Sequence, residues 1–318
     1  MIEPVRKTVA LADGEISYLE WGTSGPALHF AHATGFNAET YRSLLQPLSE
    51  HFHIYASDTR GHGSSTLGTR AGLARGWTVF RDDLLAFLQA CSLPSVILAG
   101  HSMGAISSVM AASVKPERVR ALALIEPVLV PAAAWRKARW KRMMGLQRDA
   151  GLAERAAKRR DTFESHDAAF AAYRGRGAFA TWPDEMLHDY LAGGLLPAAD
   201  GVRLACEPWW EADVFRSTPL HVERLAPLLR CPVTLLYGGQ SGTCPEEEVL
   251  RFARKHGRTR RVRVAKATHF LPMEYPELVG TEILRIAETI DLLHGICPGG
   301  GGKNSSAAAQ AASFILEK

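Results

Sequence analysis

The segment Ser95-Val96-Ile97-Leu98-Ala99-Gly100-His101-Ser102-Met103-Gly104-Ala105 runs an apolar stretch into a serine with a glycine two positions to either side. Ala105 to Val114 continues in small, helix-forming residues. This order predicts a buried strand, a sharp turn and a helix. Glycine at 100 and 104 lets neighbouring backbones pass close to the turn while Ser102 Oγ projects beyond the strand end. Ser102 is therefore the candidate nucleophile. A serine hydroxyl is a poor nucleophile at neutral pH, so other segments must supply a base, an acid and donors for a developing oxyanion.

Outward from that turn, the runs Thr8 to Leu11 and Ile16 to Trp21 flank Asp13-Gly14, a dipeptide suited to a hairpin turn. Further strand candidates lie near residues 27–31, 53–57, 95–99, 120–125, 233–237 and 261–264, with helical patterns between most of them. Thr78 to Ala90 is one such helix, with Val79, Leu84, Leu85 and Leu88 apolar and Arg81, Asp82 and Asp83 polar. Strands alternating with helices predict an α/β fold whose mostly parallel central sheet is flanked by helices on both faces.

Composition narrows the class. The 318 residues, 47% hydrophobic and 22% charged, suffice for a sizeable core. A dispersed net charge of +4 implies no nucleic-acid partner. Cys91, Cys206, Cys231, Cys244 and Cys297 are odd in number and lack paired CxxC spacing, which suggests neither a disulfide framework nor a zinc site. A reducing, cytoplasmic setting is the expectation. No apolar core follows Met1 to Lys7, and no run of about 18 apolar residues occurs, so stable membrane insertion is not expected. From Pro298 the chain turns to glycine, serine and alanine, the composition of a flexible tail over 298–318.

Three more segments bear on Ser102. Leu28-His29-Phe30-Ala31-His32-Ala33-Thr34-Gly35-Phe36 is a short apolar strand ending in a small-residue loop; Asp58-Thr59-Arg60-Gly61-His62-Gly63-Ser64-Ser65 is a glycine-rich turn; Ala267-Thr268-His269-Phe270-Leu271-Pro272 follows a strand-like run near the end. In this order, over roughly residues 8–294, the chain resembles the α/β-hydrolase family of serine hydrolases with a helical cap. The interval from Ile125 to Val233 is too long for a simple connection. The resemblance implies a core of residues 1–127 and 221–297, with residues 128–220 forming a helical cap inserted after the family's sixth strand and roofing the active site.

His269 is the candidate general base, since an imidazole with an ordinary pKa of about 6.5 can accept and return a proton near neutrality. His101, in the serine turn, and His62, in the glycine-rich turn, are read as structural supports. The resemblance implies an oxyanion hole built from the N–H groups of Met103 and Thr34. The family's first loop often reads His-Gly-X; here it is His32-Ala33-Thr34-Gly35, with alanine in the glycine's place.

The third member departs from the pattern. Relatives commonly carry an aspartate shortly after the seventh strand, whereas Tyr237-Gly238-Gly239-Gln240-Ser241-Gly242-Thr243-Cys244-Pro245 has no carboxylate before Glu246. Glu126, 24 residues beyond Ser102 in Leu124-Ile125-Glu126-Pro127, stands where some relatives place their acid. It is the first candidate, with Glu246, Glu247 and Asp213 as alternatives.

Residues 130–160 carry ten lysines and arginines against Asp149 and Glu154. They are read as the solvated face of cap helices, or else as a field for an anionic substrate or a membrane surface. Trp135, Trp140, Trp182, Trp209 and Trp210 either line an apolar pocket or fill the cap core. A serine nucleophile sets the chain apart from dehalogenases and epoxide hydrolases, which use aspartate. The expected activity is hydrolysis of a carboxylic ester, or of a lactone or thioester, through a Ser102 acyl-enzyme without metal or organic cofactor. The partner is a small apolar or mildly anionic acyl substrate. A carbon–carbon bond hydrolase on the same triad and a non-catalytic ligand-binding homologue are the alternatives. The oligomeric state is not legible.

Overall fold

A computed structural model of the chain describes residues 2–144 and 151–295. The expected tail over 298–318, Cys297, Arg148 and Asp149 lie outside the described residues, as do the side chains of Trp135, Arg139 and Arg142.

The chain opens with β1 (Val5–Leu11) and β2 (Gly14–Trp21), an antiparallel hairpin. Leu11 stands opposite Gly14, so the turn is Ala12-Asp13, one residue ahead of the dipeptide that marked it in the sequence. Then come β3 (Ala27–Ala31), α1 (Arg42–Leu45), β4 (His53–Ser57), α2 (Thr78–Ala90), β5 (Val96–His101), α3 (Met103–Val114) and β6 (Val119–Ile125). A long insertion holds α4 (Ala132–Met143), α5 (Leu152–Ala157), β7 (Thr162–Phe163), α6 (His166–Tyr173), α7 (Asp184–Gly194), β8 (Leu195–Ala198), β9 (Gly201–Leu204) and α8 (Pro208–Arg216). The chain returns through β10 (Val233–Gly238), α9 (Glu246–His256), β11 (Thr259–Val264), α10 (Leu271–Glu274) and α11 (Pro276–Gly295).

Eight strands form one sheet in the order β1-β2-β4-β3-β5-β6-β10-β11. The pairings from β4 across to β11 are parallel, and only those of β1 with β2 and β2 with β4 are antiparallel. Both faces are covered, as a parallel sheet requires. Ile97 and Ala99 of β5 point to the face that buries Val279 and Ile283 of α11, while Val96 and Leu98 point to the face packed by Phe87, Ile106, Val109 and Phe252. The period of two along β5 thus feeds two apolar layers. Among the described residues no helix is long and apolar enough to cross a membrane.

The composition of the insertion predicts helices throughout, but the structure adds a small antiparallel sheet in the order β7-β9-β8. Pro197 lacks the N–H that a helix interior needs and lies on the edge strand β8, where it is tolerated. Gly201 has φ +125°, and a Cβ there would come 2.2 Å from Phe163 O, so the β8–β9 turn needs glycine.

The serine turn is packed equally tightly. A Cβ on Gly104 would stand 2.1 Å from Ala31 O, and one on Gly100 would stand 2.5 Å from the Gly104 carbonyl carbon. The start of α3 therefore lies directly on the end of β3, which brings Ser102 beside the first loop. Gly104→Ala is expected to lower stability by about 1–3 kcal/mol, as overpacking does. Urea unfolding should show a reduced midpoint at unchanged slope; an unchanged midpoint contradicts this contact.

Candidate active site

Ser102 precedes α3 with φ +55° and ψ −114°, and Glu126 follows β6 with φ +48°. Positive φ in a non-glycine residue costs on the order of 1–3 kcal/mol, and it persists only where the surroundings impose it. The two residues end neighbouring strands, and Ser102 N–H donates to Ile125 O at 3.0 Å. His269, in the turn between β11 and α10, lies between their side chains. Its Nε2 is 3.0 Å from Ser102 Oγ and its Nδ1 is 3.1 Å from Glu126 Oε2.

Glu126 is fully buried. Its carboxylate is satisfied by Gly238 N–H at Oε1 and by the Ser241 hydroxyl at Oε2, as a buried charge requires. The alternative acids are engaged elsewhere: Asp213 accepts from Gly72 N–H, Glu246 from Tyr237 Oη, and Glu247 from Arg251. Two residues that the sequence left without a role complete the cluster. Thr243 Oγ1 is 2.6 Å from His269 Nδ1 and 3.0 Å from Ser241 Oγ. The loop that lacks an acid supplies two hydroxyls instead, and its one signal in the sequence was that missing acid.

The loop after β3 leaves one backbone donor over. Ala33 N–H donates to Tyr41 Oη, Gly35 N–H to His62 Nε2 and Phe36 N–H to Ala33 O. Thr34 N–H has no acceptor among the described residues. Met103 opens α3, so its N–H has no intrahelical acceptor either. Thr34 Oγ1 lies 3.4 Å from Met103 Sδ, so the two side chains are in contact.

Buried histidines hold this loop, and their partners fix their tautomers. His101 Nε2 faces the His269 carbonyl at 2.8 Å, so it donates, and its Nδ1 accepts from Tyr41 Oη at 2.7 Å. One hydrogen-bonded line thus joins the His269 turn, the serine turn and the Ala33 loop. His62 donates from Nδ1 to Arg60 O, and His32 donates from Nδ1 to Ala33 O while its Nε2 accepts from Thr59 N–H. Burial pushes all three down: His62 to about 3, helped by His32 nearby, His32 to about 4, and His101 well below the ordinary range.

The insertion meets the site through several contacts. Phe36 packs against Trp182, Tyr190 and Phe270, at centroid distances of 5.3, 5.6 and 6.3 Å. Asn37 Nδ2 donates to Tyr190 O, Trp210 Nε1 to Arg60 O, and Thr181 Oγ1 to Glu274, which also accepts from Thr268 N–H beside His269. Arg159 donates to Glu211 and to the hydroxyls of Tyr173 and Tyr190. Burial opposes its charge, but these partners outweigh it and keep the guanidinium protonated. Trp182 and Trp210 are buried, whereas Trp140 and Trp209 are exposed, as are Arg136, Lys137 and Lys141. Among the described residues no group of three or more His, Cys, Asp or Glu is arranged to hold a metal ion.

Residues 26–276 match the family model of the alpha/beta hydrolase fold. The chain is similar to the (E)-2-((N-methylformamido)methylene)succinate hydrolase of Acinetobacter baylyi, 31% identical over 136 residues, which are 42% of this chain and 50% of that protein. It is 25% identical to the 3-oxoadipate enol-lactonase 2 of the same organism over 279 residues, 86% of this chain and 92% of that protein. The chain thus spans about half of the first relative and nearly all of the second. The crystal structure of E-2-(acetamidomethylene)succinate hydrolase shares the fold, with a TM-score of 0.77 at 23% identity over 90% of this chain and 100% of that one.

The buried histidines make stability depend on pH. An unfolded chain protonates them near pH 6.5, while the folded state keeps His32 and His62 neutral down to about 4 and about 3. Their contribution is complete above about pH 6.5 and is lost as pH falls below it, at roughly 1.4 kcal/mol per pH unit for each histidine. The urea midpoint should fall steadily from pH 6.5 to 4, and His62→Gln should reduce that slope by one histidine's share. A pH-independent midpoint, or an unaltered slope in the variant, contradicts the neutral assignment.

Proposed function

Because the chain belongs to the α/β-hydrolase fold family, we propose that it is an enzyme that hydrolyses small acyl compounds through a covalent Ser102 intermediate. Carboxylic esters are its first substrate class, with lactones and thioesters open to the same chemistry. The observation that carries this reading is the hydrogen-bonded line from Ser102 Oγ through both nitrogens of His269 to Glu126.

Ser102 Oγ attacks the acyl carbonyl while His269 Nε2 takes its proton. Negative charge moves onto the carbonyl oxygen, where Met103 N–H and Thr34 N–H receive it; such preorganised donors often give the largest single contribution to rate. The Glu126 carboxylate orients the imidazole and stabilises its cationic form. His269 then returns the proton to the leaving alcohol, and a water activated by the same nitrogen releases the acid.

Residues 128–220 act as the cap over a core of 1–127 and 221–297, and the aromatic group around Phe36 limits the size of the acyl part. The enol-lactonase relative supports attack on an oxygen ester. The words succinate and oxoadipate in the relatives' names support a substrate bearing a carboxylate, the mildly anionic one of the two acyl classes expected from the sequence. The cytoplasm is the proposed place of action, resting on the cysteine pattern of the sequence.

A fluorophosphonate should label wild-type Ser102, and Ser102→Ala should abolish both labelling and turnover of p-nitrophenyl esters. Glu126→Gln should keep the fold and lower kcat by about 10³–10⁴-fold, the scale of the equivalent loss in serine proteases. Turnover by the serine variant, or near-wild-type kcat in the glutamine variant, contradicts the mechanism. Labelling without turnover of any ester chain length would move the assignment to carbon–carbon bond hydrolysis or to ligand binding.

A further inference from the structure

We propose that Thr243 is a positioning residue for His269, its hydroxyl standing beside the bond from the imidazole to the acid. The inference rests on the function proposed above. If Ser102 Oγ–H donates to His269 Nε2, the ring is neutral and carries its proton on Nδ1. Of the two oxygens near Nδ1, Thr243 Oγ1 is the closer, at 2.6 Å against 3.1 Å for Glu126 Oε2. The shorter contact of the resting ring at Nδ1 is therefore to a hydroxyl.

That hydroxyl must pass its own proton on. Ser241 Oγ lies 3.0 Å away, while Glu126 Oε2 is at the limit of reach at 3.5 Å. Ser241 in turn donates to Glu126 Oε2. Every proton then points one way, from Nδ1–H to Thr243, from Thr243 to Ser241 and from Ser241 to the carboxylate, with the direct bond from Nδ1–H to Glu126 closing the ring. Hydrogen bonds in such a chain polarise one another, and they strengthen when the imidazole becomes cationic. Two backbone donors join the network: Ser241 Oγ also accepts from Thr243 N–H, and Glu126 Oε1 from Gly238 N–H.

The loop is also held by a contact that does not involve the hydroxyl. Thr243 O accepts from Leu129 N–H at 2.9 Å, a backbone bond that any residue at 243 would retain. The titratable groups facing His269 are few. Glu126 meets Nδ1, the His101 ring lies 5.0 Å away, Glu274 binds the neighbouring Thr268, and the Cys244 thiol is buried close to Glu126. Thr243→Val alters none of these groups.

The test is the rate of Ser102 labelling by a fluorophosphonate across pH, which needs no knowledge of the natural substrate. Thr243→Val should label about tenfold more slowly than wild type, the scale of a hydrogen bond to a charged group. The pH midpoint should fall by about one unit, because the cationic imidazole loses an acceptor. Thr243→Ser should restore both. A wild-type rate and midpoint in the valine variant overturns the inference, and so does a serine variant as slow as the valine one. If valine at 243 prevents folding by circular dichroism, Thr243→Ala takes its place with the same expectations. Wild-type enzyme that fails to label overturns the reading of Ser102 itself, an outcome distinct from failure at Thr243.

Discussion

A carboxylate sealed from water at the end of β6 constrains everything around it. Burying an isolated charge costs several kcal/mol even after relaxation, so Glu126 is stable only where donors surround it. Gly238 N–H, the Ser241 hydroxyl and His269 Nδ1 provide them, and they come from the end of β10, the loop beyond it and the turn after β11. The loop of residues 238–243 is thereby drawn over the acid, and the imidazole is held with its far nitrogen toward Ser102. Positive φ at both Ser102 and Glu126 places local strain at the residues that face the histidine.

The sheet delivers these groups together because parallel strands end on the same side. Thr34 follows β3, Ser102 follows β5, Glu126 follows β6, Thr243 follows β10 and His269 follows β11. A crevice at the carboxyl ends of strands is where open α/β sheets bind ligands. The close contact of Gly104 with Ala31 sets the serine turn against the first loop, and the buried His101 and Tyr41 bind that loop to the histidine turn. A few well-buried polar contacts thus fix distances between segments far apart in sequence.

The fold was legible because its strands are short apolar runs between amphipathic helices. The helix over Thr78–Ala90 and the strand over Ala27–Ala31 keep the bounds that their sequence patterns gave, although Asp83, read as polar, is buried in the helix. The small sheet of the insertion was not, since two to four residues of strand carry too little periodicity to stand out among alanines and arginines. The serine and the histidine were legible from local context. That Glu126 rather than Asp213, Glu246 or Glu247 faces the histidine depends on which strand ends adjoin, which no single segment encodes. Thr243 and Ser241 were invisible for the same reason: a hydroxyl in a loop has no pattern until the fold brings it to Nδ1.

The most direct test is a crystal structure of the enzyme with a phosphonate bound covalently to Ser102. Phosphorus should sit on Ser102 Oγ, with one phosphoryl oxygen within hydrogen-bonding distance of both Met103 N–H and Thr34 N–H and with Glu126 still facing His269 Nδ1. A phosphoryl oxygen turned away from those two donors, or an imidazole that has left Glu126, would contradict the account.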